Sequence, residues 1–464
     1  MRIRIGVTLS FLLLGTTLAS AQRVPTPEDP LAGFSGDTAY LRSSDNSFTL
    51  LPHGRLQVDG YLFKRDTADM PNDTVLLRRV RLELFGWIGS WVGFSLAGDF
   101  ALGAPRAADP VPQSWIATTD NFVFLAPWEN LAVFQLGQFD APFTLENRTS
   151  DKYFDFMERS ITVRAFGAPS NKEVGSMLHG MLPDKVAYYS LGLFNGDGQN
   201  FANSDSDFDF LGRAWVAPLA LAHLPDWEEV TLGGSFWVGE RGRNGLPFPA
   251  QATQGGLRFL ENRFIMPPAM AGAAGTKMEL HQRGDLAAYA FELDLPILHR
   301  AGVRFEYVHR NQDVAEVDGA AAAGGKLMEL GHGTLNGFSL YGEAWFWILG
   351  DDRLIGRPGL QLPPRLRIRD AEAPRHGLMV AARIERLQET LTSDMPALDD
   401  PAVGKTEVTS FELGVNYWFS RRFRATFNYV LNRFGGNAKA VDDVKKVVGG
   451  GTEHELLTRL GIAL

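Results

Sequence analysis

From Gly54 to the end of the chain, apolar and polar residues alternate in short runs with a period of two. Strands show this period when one face meets an apolar environment and the other a polar one. Between Gly54 and Phe63, Leu56, Val58 and Leu62 alternate with Arg55, Gln57, Asp59 and Tyr61. Leu76 to Trp87 sets Val80, Leu82 and Leu84 against Arg79, Arg81 and Glu83, and Trp91 to Ala101 sets Val92, Phe94 and Leu96 against Ser95, Ala97 and Asp99. The pattern returns at about Asp207 to Leu219, Val230 to Arg241, Arg283 to Leu295, Gly302 to Arg310, Asn336 to Ile348, His376 to Leu387, Val408 to Phe419, Phe423 to Asn432 and Glu453 to Leu464. With the runs near Ala132 and Val174 and their neighbours, it predicts about sixteen strands, an even number as a closed antiparallel barrel in a bacterial outer membrane requires.

The connections alternate in length. Ile88-Gly89-Ser90, Pro127 to Asn130 and Pro183 to Lys185 are short, whereas Lys64 to Thr74, Leu102 to Thr118 and Gly196 to Ser206 are long. Tight turns at one end and long loops at the other are the arrangement of membrane barrels, and soluble sandwiches do not ordinarily keep it. Gly350 to Arg375 breaks the rhythm, being long and basic where a short turn is due. Aromatic residues at strand ends, Trp87, Trp91, Trp128, Tyr417, Trp418 and Phe419, suit girdles at headgroup depth.

Arg2 and Arg4, the apolar run Ile5 to Leu18 and Ala19-Ser20-Ala21 form a secretory signal pattern, so residues 1–21 are expected to be removed on export. Residues 22–53 are rich in Pro, Gly, Ser and Asp without periodicity and predict an irregular periplasmic arm, leaving 54–464 for the barrel. After the signal no run of 18 apolar residues occurs, which excludes a helical membrane protein. The absence of cysteine removes disulfide frameworks and thiol chemistry. The net charge of -9 becomes -11 without Arg2 and Arg4, and an acidic total argues against a nucleic-acid partner.

One connection is different in kind. Asp140 to Ala168 is polar, charged and aromatic with no clean period, and a loop of that length is expected to be folded and functional. Phe143, Tyr153, Phe154, Phe156, Met157 and Phe166 offer more apolar surface than a loop in water would keep, so it is expected to fold into the lumen. Here GQFDAPF, SDKY and FMERS resemble the signature of the phosphate-selective porin O and P family. LRRVRL at Leu77 to Leu82, GLFNGDG at Gly192 to Gly198 and FNYVLNRF at Phe427 to Phe434 extend the resemblance over most of the chain. It implies an outer-membrane barrel, a homotrimer, whose third extracellular loop folds inward and narrows a pore for small anions, phosphate or polyphosphate among them. Two departures stand out: Asp140 replaces the basic residue often found after GQF, and the chain ends in Leu464 rather than an aromatic.

Anion passage needs dispersed cationic donors that replace the anion's water shell without holding it too tightly. The period-two register turns Arg55, Arg79, Arg81, Arg213, Arg304, Arg310, Arg383, Arg424 and Arg459 inward, and the resemblance reads such residues as an arginine ladder. Arg55, Arg79, Arg81, Arg213, Arg304 and Arg424, with Asp99 beside them, are the candidate pore-lining contacts, and Asp140, Lys152, Glu158, Arg159 and Arg164 are the candidates in the constriction loop. The same faces carry Asp59, Glu83, Glu292, Asp294, Glu306, Glu343, Glu385 and Glu412, and opposite charges on neighbouring strands also brace a barrel wall. Glu158 and Arg159 are expected to pin the loop to the wall. This balance, with Asp140, predicts at most moderate anion selectivity. A general or differently selective diffusion porin is the alternative, and a surface-binding or structural barrel stands in another class.

Enzymatic chemistry finds little support. No G-x-S-x-G elbow occurs, and His179, read as inward, has no serine on its own face of the strand. Asp205-x-Asp207-x-Asp209 begins like a calcium loop, but Phe210 and Val216 occupy the positions that need glycine and a carboxylate. No metal or cofactor is expected, and the expected partners are outer-membrane lipid and small hydrophilic solutes or anions.

Overall fold

The computed structural model describes residues 30–463 apart from 36–37, 65–72, 102–115, 169–170, 225–226, 243–245, 261–262, 266–276, 319–328, 356–373, 395–403, 437–439, 442–446 and 449–450. The signal segment 1–21, the start of the arm, most of the segment Gly350 to Arg375 and Leu464 therefore lie outside the described residues. Sixteen antiparallel strands form a closed barrel, as the alternation predicts. They are β1 (Phe48–Phe63), β2 (Thr74–Ile88), β3 (Val92–Asp99), β4 (Asn121–Leu125), β5 (Val133–Asp140), β6 (Lys172–Met181), β7 (Ala187–Phe194), β8 (Asp209–Val216), β9 (Thr231–Arg241), β10 (Lys277–Ile297), β11 (Ala301–Asp318), β12 (Glu329–Leu349), β13 (Gly377–Ser393), β14 (Gly404–Ser420), β15 (Phe423–Gly436) and β16 (Thr452–Ala463). Each pairs with its neighbour in sequence. Pairing of β16 with β1, from Glu455 opposite Phe63 to Ala463 opposite Arg55, closes the ring.

The pattern of faces is inside-out. Along β14, Thr406, Ser410, Glu412 and Asn416 are buried inward, while Phe411, Leu413, Val415 and Phe419 stand exposed outward. In water such a continuous apolar exterior would be costly, whereas in a bilayer it meets hydrocarbon. No described helix is long and apolar enough to cross a membrane, so the strands alone offer a spanning surface. Of the aromatic residues expected at the girdles, Trp91, Trp128, Tyr417 and Phe419 are exposed, but Trp87 and Trp418 are buried. Their positions in the pleat turn them inward, where Trp87 packs on Phe124 and Trp418 lies under Arg424.

The wall is uneven in height. Strands β3 to β8 have ten residues or fewer, whereas β10 and β12 each have twenty-one. The tall strands run beyond the alternation that predicts them, and in the added lengths Leu280 and Leu335 pack inward into a buried apolar cluster. The arm also differs from its expected irregularity. Ala32–Ser35 pairs with Thr38–Arg42, which in turn pairs with β1 at Leu41 opposite Leu50, and β1 itself begins at Phe48. Ser43 and Ser47 donate to the Asp45 carboxylate in the connecting turn and hold its pKa down at about 2. Two strands of four and five residues are too short to show a period, so the ladder that orders them is invisible locally.

Candidate functional site

The connection between β5 and β6 turns into the lumen and stays there. Its backbone is held by wall side chains: the N–H groups of Leu145 and Glu146 donate to Glu306 at 3.1 and 2.7 Å, that of Thr144 to Ser235 Oγ at 3.0 Å and that of Met157 to Asn428 Oδ1 at 2.8 Å. Phe143, Phe154, Phe156, Met157 and Phe166 are buried against the inner wall, with Tyr153 half-buried beside them. A short helix, α1 (Ile161–Phe166), is capped by Ser160, whose side chain accepts from the Val163 N–H. Asp140 closes the neck of the loop through Lys172 at 2.7 Å. The charge expected to oppose anions at Asp140 is thus matched by the lysine that begins β6, which the resemblance did not single out.

Every loop carboxylate that reaches the wall finds arginine. Asp151 sits between Arg55, Arg79 at 2.7 Å and Arg81 at 3.5 Å. Arg55 and Lys152 also reach Glu83, and Arg81 reaches Asp99 at 2.7 Å. Glu158 takes Arg78 at 2.9 Å, Arg79 at 3.4 Å and Arg459 at 2.8 Å. Burial alone would raise the Glu158 pKa, but these three guanidinium groups hold it well below the usual carboxylate range. Asp155 lies 3.2 Å from Arg304, which also pairs with Glu343, and Glu146 lies 3.0 Å from Arg383. Arg213 makes a paired contact with Glu292 across the wall. Glu158 thus pins the loop as expected, but Arg159 does not act with it: its guanidinium donates to the carbonyls of Glu146 and Thr149 inside the loop and lies over the Phe154 ring. Arg164 donates to the carbonyl of Thr253.

Two predicted inward arginines have no carboxylate partner among the described residues. Arg424 donates to the Phe154 carbonyl at 2.6 Å and lies over Trp418, and Arg310 reaches Gln312 and lies between the rings of Trp237 and Phe248. Among the described residues, buried carboxyl residues number nineteen against thirteen buried Arg and Lys, so the enclosed part of the barrel that they line is not a cationic funnel.

Two features escape a reading by period. Arg78, which strict alternation turns outward, is brought to Glu158 because the ladder between β1 and β2 shifts register at Gln57 and Val58. The adjacent pair Arg78-Arg79 inside a strand is the only local sign of that bulge. The second is residues 246–260, in the connection between β9 and β10, which also enter the lumen. There Gln251–Ala252 pairs with Arg258–Leu260. Gln251 donates to Glu389, Gln254 to Glu385 and Glu412, and the Gly255 N–H to Glu455 at 2.9 Å. Gly256 at the tip has φ +94°, a conformation that favours glycine. Phe248, Leu257, Phe259 and Leu260 are buried, and Phe143, Phe166 and Phe259 share one apolar cluster with Trp237 on the wall.

Residues 53–225 match the family model for phosphate-selective porin O and P, the family that the loop motifs resemble. No curated protein matches the chain. Among solved structures, OmpT, an outer-membrane protein of Vibrio cholerae solved in a trimer form, has a TM-score of 0.50 at 10% identity, with 90% of this chain and 100% of that chain covered. OmpF of Salmonella typhi in complex with daunomycin has a TM-score of 0.50 at 8% identity, covering 91% of this chain and 100% of that one. At these identities the likeness is one of fold.

Proposed function

Taking as premise the match of residues 53–225 to phosphate-selective porin O and P, we propose that this chain is an outer-membrane porin for passive diffusion of small hydrophilic solutes. It is exported by its N-terminal segment and assembles as a homotrimer. The observation that carries the reading is a barrel with an apolar exterior, a charged interior and a folded loop anchored by wall side chains. That is the construction of a narrowed aqueous path rather than of a catalytic cleft, and the channel class is favoured over an enzyme.

Anion preference is shallow in this reading. The arginines first expected to form the ladder, Arg55, Arg79, Arg81, Arg213 and Arg304, each face a carboxylate, which offsets much of the field they would offer to phosphate. Arg424 and Arg310, both buried, are the inward arginines that no described carboxylate pairs with, so their charge is the least offset. Purified protein in planar bilayers is expected to give discrete conductance steps, a small anion-directed reversal potential in a potassium chloride gradient and weak block of chloride current by phosphate. Arg424→Gln is expected to lower that preference at low salt, where screening is least. Absence of conductance steps would overturn the channel reading. A clear cation-directed potential, or an unchanged one in Arg424→Gln, would overturn the anion reading alone.

A further inference from the structure

The tight-turn end of the barrel carries a feature the channel reading does not use. Three turns remote in sequence meet there: the connection from β8 to β9, the turn Leu298 to Arg300 between β10 and β11, and the residues just after β12. Glu229, His299 and Asp352 each supply one donor atom, and the three atoms lie within 4.8 Å of one another. Two of these turns are fixed to each other through the backbone, since the Asp352 N–H donates to the His299 carbonyl at 3.0 Å and the Trp347 N–H to the Arg300 carbonyl at 2.7 Å. His299 Nδ1 lies 2.8 Å from Asp352 Oδ1, and the imidazole side chain is 48% exposed, so it is reachable from solvent. The turn presents it from a left-handed backbone, with φ +48° at Leu298 and +59° at His299.

The surroundings point the same way. Glu229 and Asp352 line a cleft with Asp155 and Asp294, and Arg304 is the one cationic side chain among the lining residues. Trp347 lines the same cleft, and although it is fully buried its indole N–H has no hydrogen-bond partner among the described residues. An indole donor beside converging carboxylates suits a water or hydroxide held on a cation.

We infer that Glu229, His299 and Asp352 form a divalent-cation site at the tight-turn rim, with one imidazole and two carboxylate ligands and a position left for water. The donor set selects the cation. One imidazole nitrogen with two carboxylate oxygens suits zinc and its neighbours, whereas calcium and magnesium prefer all-oxygen cages with more ligands. Zinc bonds of about 2.0–2.2 Å place tetrahedral ligands roughly 3.3 Å apart. His299 Nδ1 and Asp352 Oδ1 are already 2.8 Å apart and all three donor atoms lie within 4.8 Å, so side-chain adjustment alone would bring the set to that spacing. A bound cation would tie three turns together and neutralise part of the acidic cleft.

The test is calorimetric titration of chelator-treated protein in detergent with zinc chloride, and with calcium and magnesium chloride for comparison. Saturable binding of one zinc per chain is expected, with weaker calcium and magnesium binding. Affinity is expected to fall at least about tenfold in His299→Ala and in Asp352→Asn, the loss that removing even a supporting partner of a metal site causes. Glu229→Gln supplies a third variant should either fail to assemble, and heat-modifiable migration reports assembly in each. His332→Ala, which removes an exposed histidine at the other end of β12, is expected to bind zinc as the parent does. No saturable zinc binding, or undiminished binding in an assembled His299→Ala protein, would overturn the assignment. Calcium binding as tight as zinc and indifferent to His299→Ala would do so too, by showing carboxylates acting without the imidazole.

Discussion

Glu158 is the node on which the constriction loop turns, and Glu158→Gln is the most informative single change. Its carboxylate faces Arg78, Arg79 and Arg459 and is almost fully buried. Removing one partner from a buried ion cluster costs about 3–5 kcal/mol, mostly because the remaining charges stay desolvated and unpaired. The cost is reduced here. Arg459 keeps Asp59 at 2.6 Å and Arg79 keeps Asp151 at 2.7 Å, whereas Arg78 loses the partner that draws it inward. A loss near the lower end, about 3 kcal/mol, therefore falls on docking of the loop rather than on the barrel. It is enough to shift a docked loop by roughly a hundredfold in population. In planar bilayers, Glu158→Gln is expected to raise conductance and current noise. It should also move the reversal potential toward anions, since three guanidinium groups lose their counter-charge. Because the carboxyl is held below its ordinary range, its stabilisation is complete above that range and disappears only as pH falls through the lowered value. The parent channel should accordingly keep its conductance between neutral pH and pH 5. An assembled Glu158→Gln channel with the parent's conductance, noise and selectivity would refute this account of the loop.

Other changes test other joints. Replacing Arg79 and Arg81 together by Gln leaves Asp151 with Arg55 alone, so the double variant is expected to loosen the loop and shift the reversal potential toward cations; an unaltered potential at low salt would show that neither charge reaches the path. Deleting residues 248–258 removes the second inward segment and is expected to raise conductance without preventing assembly, whereas unchanged conductance would place the segment outside the path. Leu413, exposed on the outer face of β14, should tolerate Phe but not Arg, which is expected to cost about 2–4 kcal/mol near the bilayer midplane in an unfolding titration from vesicles. A neutral Leu413→Arg result would argue that this face does not meet lipid.

What the sequence determined by itself was the barrel. Period-two alternation is a property of adjacent residues, and because one environment lies on each side of the wall it records strand, face and approximate count together. The aromatic, aperiodic stretch after β5 carries more apolar surface than a loop in water would keep, which is the local reason to expect it inside the barrel. Tertiary structure decided how the charges are spent. Arg459 meets Glu158 across 301 positions and Arg383 meets Glu146 across 237, distances over which no local pattern says which carboxylate an arginine will face. The inward turn of Arg78 needed a register shift against β1, and the lumenal course of residues 246–260 rests on glutamates from β13, β14 and β16. The convergence of Glu229, His299 and Asp352 required the ladders from β8 to β13 to set three turns side by side on one rim. Alternation places a charge on the inside of a barrel; only the closed wall and the segments folded within it determine whether that charge meets a solute or another side chain.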